Sequence, residues 1–231
     1  MIKAIVFDFD HVLYNRNLTI AHMSEPFLHT FHKALRSNIT LTEVVTAMQS
    51  ADSAGVYRGG TPGIYHMLVA SGIFKVPPGY DEYFSFLLSE MPHAIQPYPD
   101  TYTTLSWCRA QGLGPAILTN GSVEYQMRKI NALCLKDYAQ PIIVAITTGY
   151  EKPNAIPFLE IAKQLDVAPA EMIYVGDNPI NDIAGARSAG ILPIWFRSVD
   201  IWNNDLPPAP YSIKRLSELP VLVTAIQAQA E

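Results

Sequence analysis

Cysteine is almost missing from this chain, with only Cys108 and Cys134 among 231 residues. So few thiols exclude a disulfide framework and suit a reducing compartment, and each reads as a small apolar residue rather than a nucleophile. Charge is also scarce: 16% of residues are Asp, Glu, Lys or Arg, the net charge is -5, and no basic run stands out. That balance argues against a nucleic-acid or membrane surface as partner. No apolar stretch approaches the roughly 20 residues that span a bilayer. The chain opens on a strand with no small-residue cleavage site after it, so no signal peptide is expected and the expected location is cytoplasmic. Internal repeats and low-complexity segments are absent too. What remains is a 49% hydrophobic chain, long enough to bury a sizeable core as one domain or as a core with a smaller companion.

The first strand organises the rest. Ile2–Asp10 is an apolar run ending in two carboxylates, Asp8 and Asp10, and reads as a parallel strand buried on both faces. Strand alternation would turn both carboxylates to one side. Like charges held together repel, so the pair needs either a divalent cation or a division of labour between nucleophile and acid.

After Asp10 the pattern becomes helical. Apolar residues recur at helical spacing from Ile20 to Leu35, a second helix is expected over Thr42–Ala51 with Thr40 or Thr42 as cap, and further helices near Gly63–Ser71 and Tyr80–Glu90. His22, His29 and His32 lie on the first of these and read as exposed residues, without a third metal ligand. Two prolines in Ala94–Asp100 mark a linker back from this insert. From there helices and strands alternate. Strands are expected at Pro115–Leu118, Ile142–Thr147, Met172–Val175 and Leu192–Phe196, helices at Thr101–Gln111, Val123–Leu133, Ala155–Leu165 and Asn181–Ala189, and a weak helix from Leu216. The expected fold is therefore α/β, a Rossmann-like parallel sheet of residues 1–14 and 97–231, with residues 15–96 inserted as an all-helical domain.

Four polar stretches fall at the ends of these core strands. Asp8 and Asp10 end the first. Thr119-Asn120-Gly121 follows the second, offering a hydroxyl, an amide and main-chain N–H groups suited to an anion. Lys152-Pro153 follows the third and would fix a positive charge. Gly176-Asp177-Asn178, with Asp182 close behind, follows the fourth. Each alone reads equally well as a cap or a turn.

Together they resemble the haloacid dehalogenase superfamily, whose members are mostly phosphatases. Phe7-Asp8-Phe9-Asp10 is similar to its first motif, Leu118-Thr119-Asn120-Gly121 to its second, Lys152-Pro153 to its third, and Gly176–Ala186 to its fourth. The helical insert matches the cap of one large branch. The chain departs from the usual pattern at His11, where glycine is common, and at Val12, where threonine is.

The resemblance implies a Mg2+-dependent phosphatase acting on a small phosphorylated metabolite. Asp8 would be the nucleophile, forming an aspartyl-phosphate, and Asp10 the general acid/base. Asp8, Asp177 and the Asp10 carbonyl would hold the metal, with Asp182 and Asn178 supporting them. Thr119, Lys152, Asn120 and Gly121 would receive the phosphoryl oxygens. His11 would shape substrate entry, and Arg58 in the glycine-rich cap loop would read a second anionic group. The cap would close as a lid. A monomer is the default expectation, with a homodimer as the alternative. The rival readings are a phosphomutase on the same core, a dehalogenase, and a non-catalytic phosphate-binding module.

Overall fold

The structure is a computed structural model that describes residues 1–55, 60–197, 202 and 205–229. In chain order its elements are β1 (Ala4–Phe7), α1 (Arg16–Thr30), α2 (Leu41–Gly55), α3 (Thr61–Ala70), α4 (Tyr80–Ala94), α5 (Thr101–Ala110), β2 (Gly114–Thr119) and α6 (Val123–Ala132). There follow β3 (Ile142–Val144), α7 (Ala155–Leu165), β4 (Met172–Gly176), a wide helical turn at Pro179–Ala184, α8 (Gly185–Ser188), β5 (Leu192–Phe196), β6 (Tyr211–Ile213) and α9 (Leu219–Ala228).

All six strands join one parallel sheet in the order β3-β2-β1-β4-β5-β6. Every residue of β1 and β4 is buried, as a strand covered on both faces requires. One face carries Ala4, Val6, Ala116, Leu118, Met172 and Tyr174, packed under Phe158, Ile161 and Ala162 of α7. The chain leaves β1 toward β2 on one side and β4 adds on the other. The order thus reverses at β1, and the crevice beyond its carboxyl end is where open sheets of this kind take ligands.

The chain divides into two compact units, Met1–Asn15 with Pro97–Glu231, and Arg16–Gln96. The second is purely helical among its described residues apart from the short Leu35–Phe74 bridge. Its core is aromatic, with Phe27 against Phe31 and Phe86 at centroid distances of 4.8 and 5.4 Å. Arg16 and Asp52 form a largely buried ion pair at 2.6 Å. Of the two cap residues expected for α2, Thr40 holds the position. Its hydroxyl and main-chain amide donate to Glu43, whose own amide returns a bond to that hydroxyl.

Several boundaries differ from the periodicity. The first strand covers four residues rather than Ile2–Asp10, because the chain turns into Phe9–Tyr14 once the sheet's edge is reached. Helix α1 runs a turn earlier than expected and stops at Thr30. β3 ends at Val144, where Ala145–Thr148 winds into a tight turn ended by Gly149. The helix expected over Asn181–Ala189 is a wide turn followed by one short helical turn. Strand β6 had no sequence signal. Among the described residues, no helix is long and apolar enough to cross a membrane.

Candidate active site

Just past β1, the main-chain amide of Asp8 stays in the ladder, donating to the Val175 carbonyl at 2.8 Å. Its side chain is buried and accepts from Lys152 Nζ at 2.7 Å. The same ammonium donates to Asp182 Oδ1 at 2.7 Å and to the Tyr174 hydroxyl at 2.8 Å, while that hydroxyl donates to the Leu118 carbonyl at 2.9 Å. One buried cation is thus shared by two buried carboxylates and a phenol. Burial, against the opposing pull of Lys152 and with help from the Asp182 and Asp10 charges, pushes the Asp8 carboxyl up to about 7. For Lys152 burial works the other way, but Asp182 and Asp8 outweigh it and hold the ammonium above its ordinary value.

The loop holding Lys152 is fixed from the sheet. Asn120 donates through Nδ2 to the Lys152 carbonyl and accepts the Lys152 amide on Oδ1, both at 2.9 Å. That occupies the side chain expected to meet a substrate, so the structure gives Asn120 a scaffolding task. The Gly121 amide, also expected on the anion, donates to Glu151 Oε1 at 3.0 Å. Thr119 does not cap α6; Ser122 does, accepting the Tyr125 amide. The buried Thr119 hydroxyl instead accepts from Gln126 Nε2 at 2.6 Å.

Beyond β4, Asp177 is 5% exposed and its carbonyl accepts the Trp195 indole N–H at 2.9 Å. Asn178 shapes the turn: its Oδ1 accepts the amides of Ile180 and Asn181, and its own amide donates to Asp182 Oδ2 at 2.9 Å. Gly176 is obligatory here, since a Cβ on it would lie 2.3 Å from Asp182 Cβ. One oxygen from each of Asp8, Asp177 and Asp182 falls within 4.8 Å of the other two. Within this group Asp182 accepts bonds from Lys152 and Asn178, and Asp8 accepts one from Lys152, so the cluster is tied to the lysine and to the turn after β4. A donor set of carboxylate oxygens suits a hard cation such as Mg2+.

Asp10 sits apart from that cluster's lysine. Since β1 ends at Phe7, strand alternation is not what orients it; its carboxylate turns to the inward face of α6. There Oδ1 accepts from Lys129 Nζ at 2.5 Å and from the Tyr14 hydroxyl, and Oδ2 accepts from Gln126 Nε2 at 3.0 Å. Sequence reasoning missed Tyr14, Gln126, Lys129 and Tyr174. A signal for two of them was available: Gln126 and Lys129 share a helix face with Tyr125 and Ile130, and all four are buried. A polar pair in phase with the apolar stripe of an amphipathic helix is the mark of a buried task. His11 is half-buried with a left-handed φ of 62°, the conformation that makes glycine common at such a position. Arg58 lies outside the described residues.

Fold and site together define an α/β protein with buried carboxylates gathered at the switch point of a parallel sheet. The family follows from comparison: the profile described as haloacid dehalogenase-like hydrolase matches residues 5–196, and the chain belongs to that family. It is 27% identical to a glyceraldehyde 3-phosphate phosphatase of Methanopyrus kandleri over 85% of this chain and 84% of the relative. It is also 27% identical to a phosphoglycolate phosphatase of Thiobacillus denitrificans, over 82% of this chain and 80% of the relative. Among solved structures, a HAD phosphatase from Thermococcus onnurineus matches with a TM-score of 0.68 at 28% identity, covering 96% of this chain and 98% of that one.

Proposed function

We propose that this chain is a Mg2+-dependent phosphatase that hydrolyses a small phosphorylated metabolite through an aspartyl-phosphate on Asp8. The observation that carries the reading is the shared Lys152 cation, 2.7 Å from Asp8 Oδ1 at the sheet's switch point, with the Asp177 carboxylate beside it. The relatives' names, for phosphatases of a two-carbon acid and a three-carbon aldehyde, favour substrates of that size.

Attack on a phosphate dianion is opposed by charge, and this site is built to offset it. Lys152 and the Thr119 hydroxyl lie at the ends of two neighbouring connections and would receive phosphoryl oxygens as the transition state forms. Asp8 and Asp177, with the Asp10 carbonyl, would hold Mg2+, which supplies charge neutralisation of phosphate and nucleophile when bound. Asp8 forms the new bond to phosphorus as the ester oxygen leaves, and Asp10, which must enter this step protonated, gives that oxygen its proton. Asp10 then takes a proton from the water that opens the acyl phosphate. A haloacid dehalogenase needs no second carboxylate of this kind, and the bonds that fix Asp10 count against that rival.

The test is turnover of p-nitrophenyl phosphate and of a panel of two- and three-carbon phosphates, with Mg2+ and after EDTA. Activity should require Mg2+, and intact-protein mass analysis of rapidly quenched enzyme should find one phosphate on Asp8. Asp8→Asn should lose both. Undiminished activity in EDTA would sink the metal assignment, and an active Asp8→Asn the nucleophile.

A further inference from the structure

Lys129 is a buried charge in the core unit that the mechanism above leaves without a task. It lies on α6 with 1% of its surface exposed. Its ammonium sits 4.7 Å from the centroid of the Tyr125 ring, 5.1 Å from Phe9 and 5.5 Å from Tyr14. Aromatic faces offset part of the cost of taking a cation out of water. The rest falls to Asp10 Oδ1 at 2.5 Å and the Tyr14 hydroxyl at 3.2 Å.

Stability alone is a poor reason for this arrangement. A buried ion pair is commonly no better for stability than apolar residues of the same volume, and an apolar side chain would fill a cage of three aromatic rings well. The pair does something an apolar side chain cannot: it fixes a carboxylate. Lys129 and Tyr14 hold one oxygen of Asp10, and Gln126 holds the other at 3.0 Å. Gln126 also donates to the Thr119 hydroxyl at 2.6 Å, so the carboxylate and that hydroxyl are set relative to each other by one amide.

Resting on the reaction proposed above, we infer that Lys129 is a positioning residue for Asp10, holding its carboxylate where the ester oxygen leaves and the hydrolytic water arrives. General acid/base catalysis depends on placing the group within hydrogen-bond reach of the oxygen it serves.

The experiment is a double-mutant cycle of Asp10→Asn and Lys129→Met, read on two substrates. One is p-nitrophenyl phosphate, whose leaving group departs without a proton; the other is the alkyl phosphate that the parent enzyme hydrolyses fastest. Lys129→Met should lower kcat on the alkyl phosphate about a hundredfold, the lower end of what acid/base catalysis contributes, with KM within about threefold. With p-nitrophenyl phosphate, release of p-nitrophenolate in the first turnover should keep its rate within about threefold. Asp10→Asn with Lys129→Met should be no slower than Asp10→Asn alone, because the lysine acts through the missing group. Equal losses on both leaving groups in the first turnover, additive losses, or a variant as fast as the parent would overturn the inference. Should Lys129→Met fail to fold, Lys129→Gln runs the same cycle. A parent protein that hydrolyses neither substrate would refute the reaction itself, whereas an active parent matched by its Lys129 variants refutes only the role of the lysine.

Discussion

Asp8 faces one lysine and Asp10 another, and the two lysines are held differently. Lys152 serves Asp8, Asp182 and Tyr174 together, while Lys129 is boxed by rings and serves Asp10. For Asp8 the net effect of burial over its cation is a carboxyl pushed up to about 7. In the proposed reaction Mg2+ would bind this carboxylate, so below pH 7 it would first have to displace a proton. Mg2+ affinity should therefore rise by up to about tenfold per unit of pH below 7 and level off above it. Isothermal titration calorimetry at pH 6, 7 and 8 checks this, and proton release on binding at pH 6 should appear as a dependence of the heat on buffer ionisation. An affinity constant across that range would mean Asp8 is already ionised throughout. At this scale the motif aspartates, Thr119 and Lys152 stood out in the sequence only as a set at successive strand ends, since each alone reads as a cap or a turn. Lys129 and Gln126 went unread despite their phase with Tyr125 and Ile130, because a lysine on a helix is ordinarily a solvated residue.

β4 and the turn after it form the tightest junction in the site. Gly176 ends the strand, Asp182 returns beneath it, and the wide turn between them is tied by Asn178. A methyl at Gly176 meets Asp182 Cβ at 2.3 Å and its Cγ at 2.5 Å, and Asp182 cannot yield without leaving Lys152 or the Asn178 amide. Gly176→Ala should cost about 1–3 kcal/mol, the range for overpacking, which for a chain of this size lowers Tm by several degrees. Thermal unfolding by circular dichroism measures it; an unchanged Tm would show that Asp182 moves freely. The glycine itself could be read from the sequence, but not the reason for it, since a turn signal does not say which side chain passes close. Strand existence was legible where burial on both faces leaves a continuous apolar run, as in β1, β2, β4 and β5. β6 escaped notice because an edge strand of three residues, with Ser212 exposed in its middle, carries no run at all.

Among the described residues every strand belongs to one unit, Met1–Asn15 with Pro97–Glu231. The segment that interrupts it leaves and re-enters at neighbouring points, because Tyr14 bridges to Pro97 and the Tyr98 amide donates to the Leu13 carbonyl. Replacing residues 16–96 by a short glycine–serine linker should therefore leave a core that folds, with the circular dichroism of a parallel α/β sheet and one cooperative unfolding transition. A chain without such a transition would show that the core depends on the helical unit. The alternation of helix and strand that defines the sheet was open to sequence reasoning across this unit, but the order of its strands was not, since periodicity carries no record of which strand lies beside which. That order has a consequence for synthesis. Ala4 of the central strand pairs with Gly114 on one side and with Met172 on the other. The ribosome thus delivers the middle of the sheet first and both its neighbours only after the contiguous helical unit is complete. Until then β1, apolar along its whole length, has nothing to pair with, and the closing of the sheet waits on the longest-range contacts in the chain.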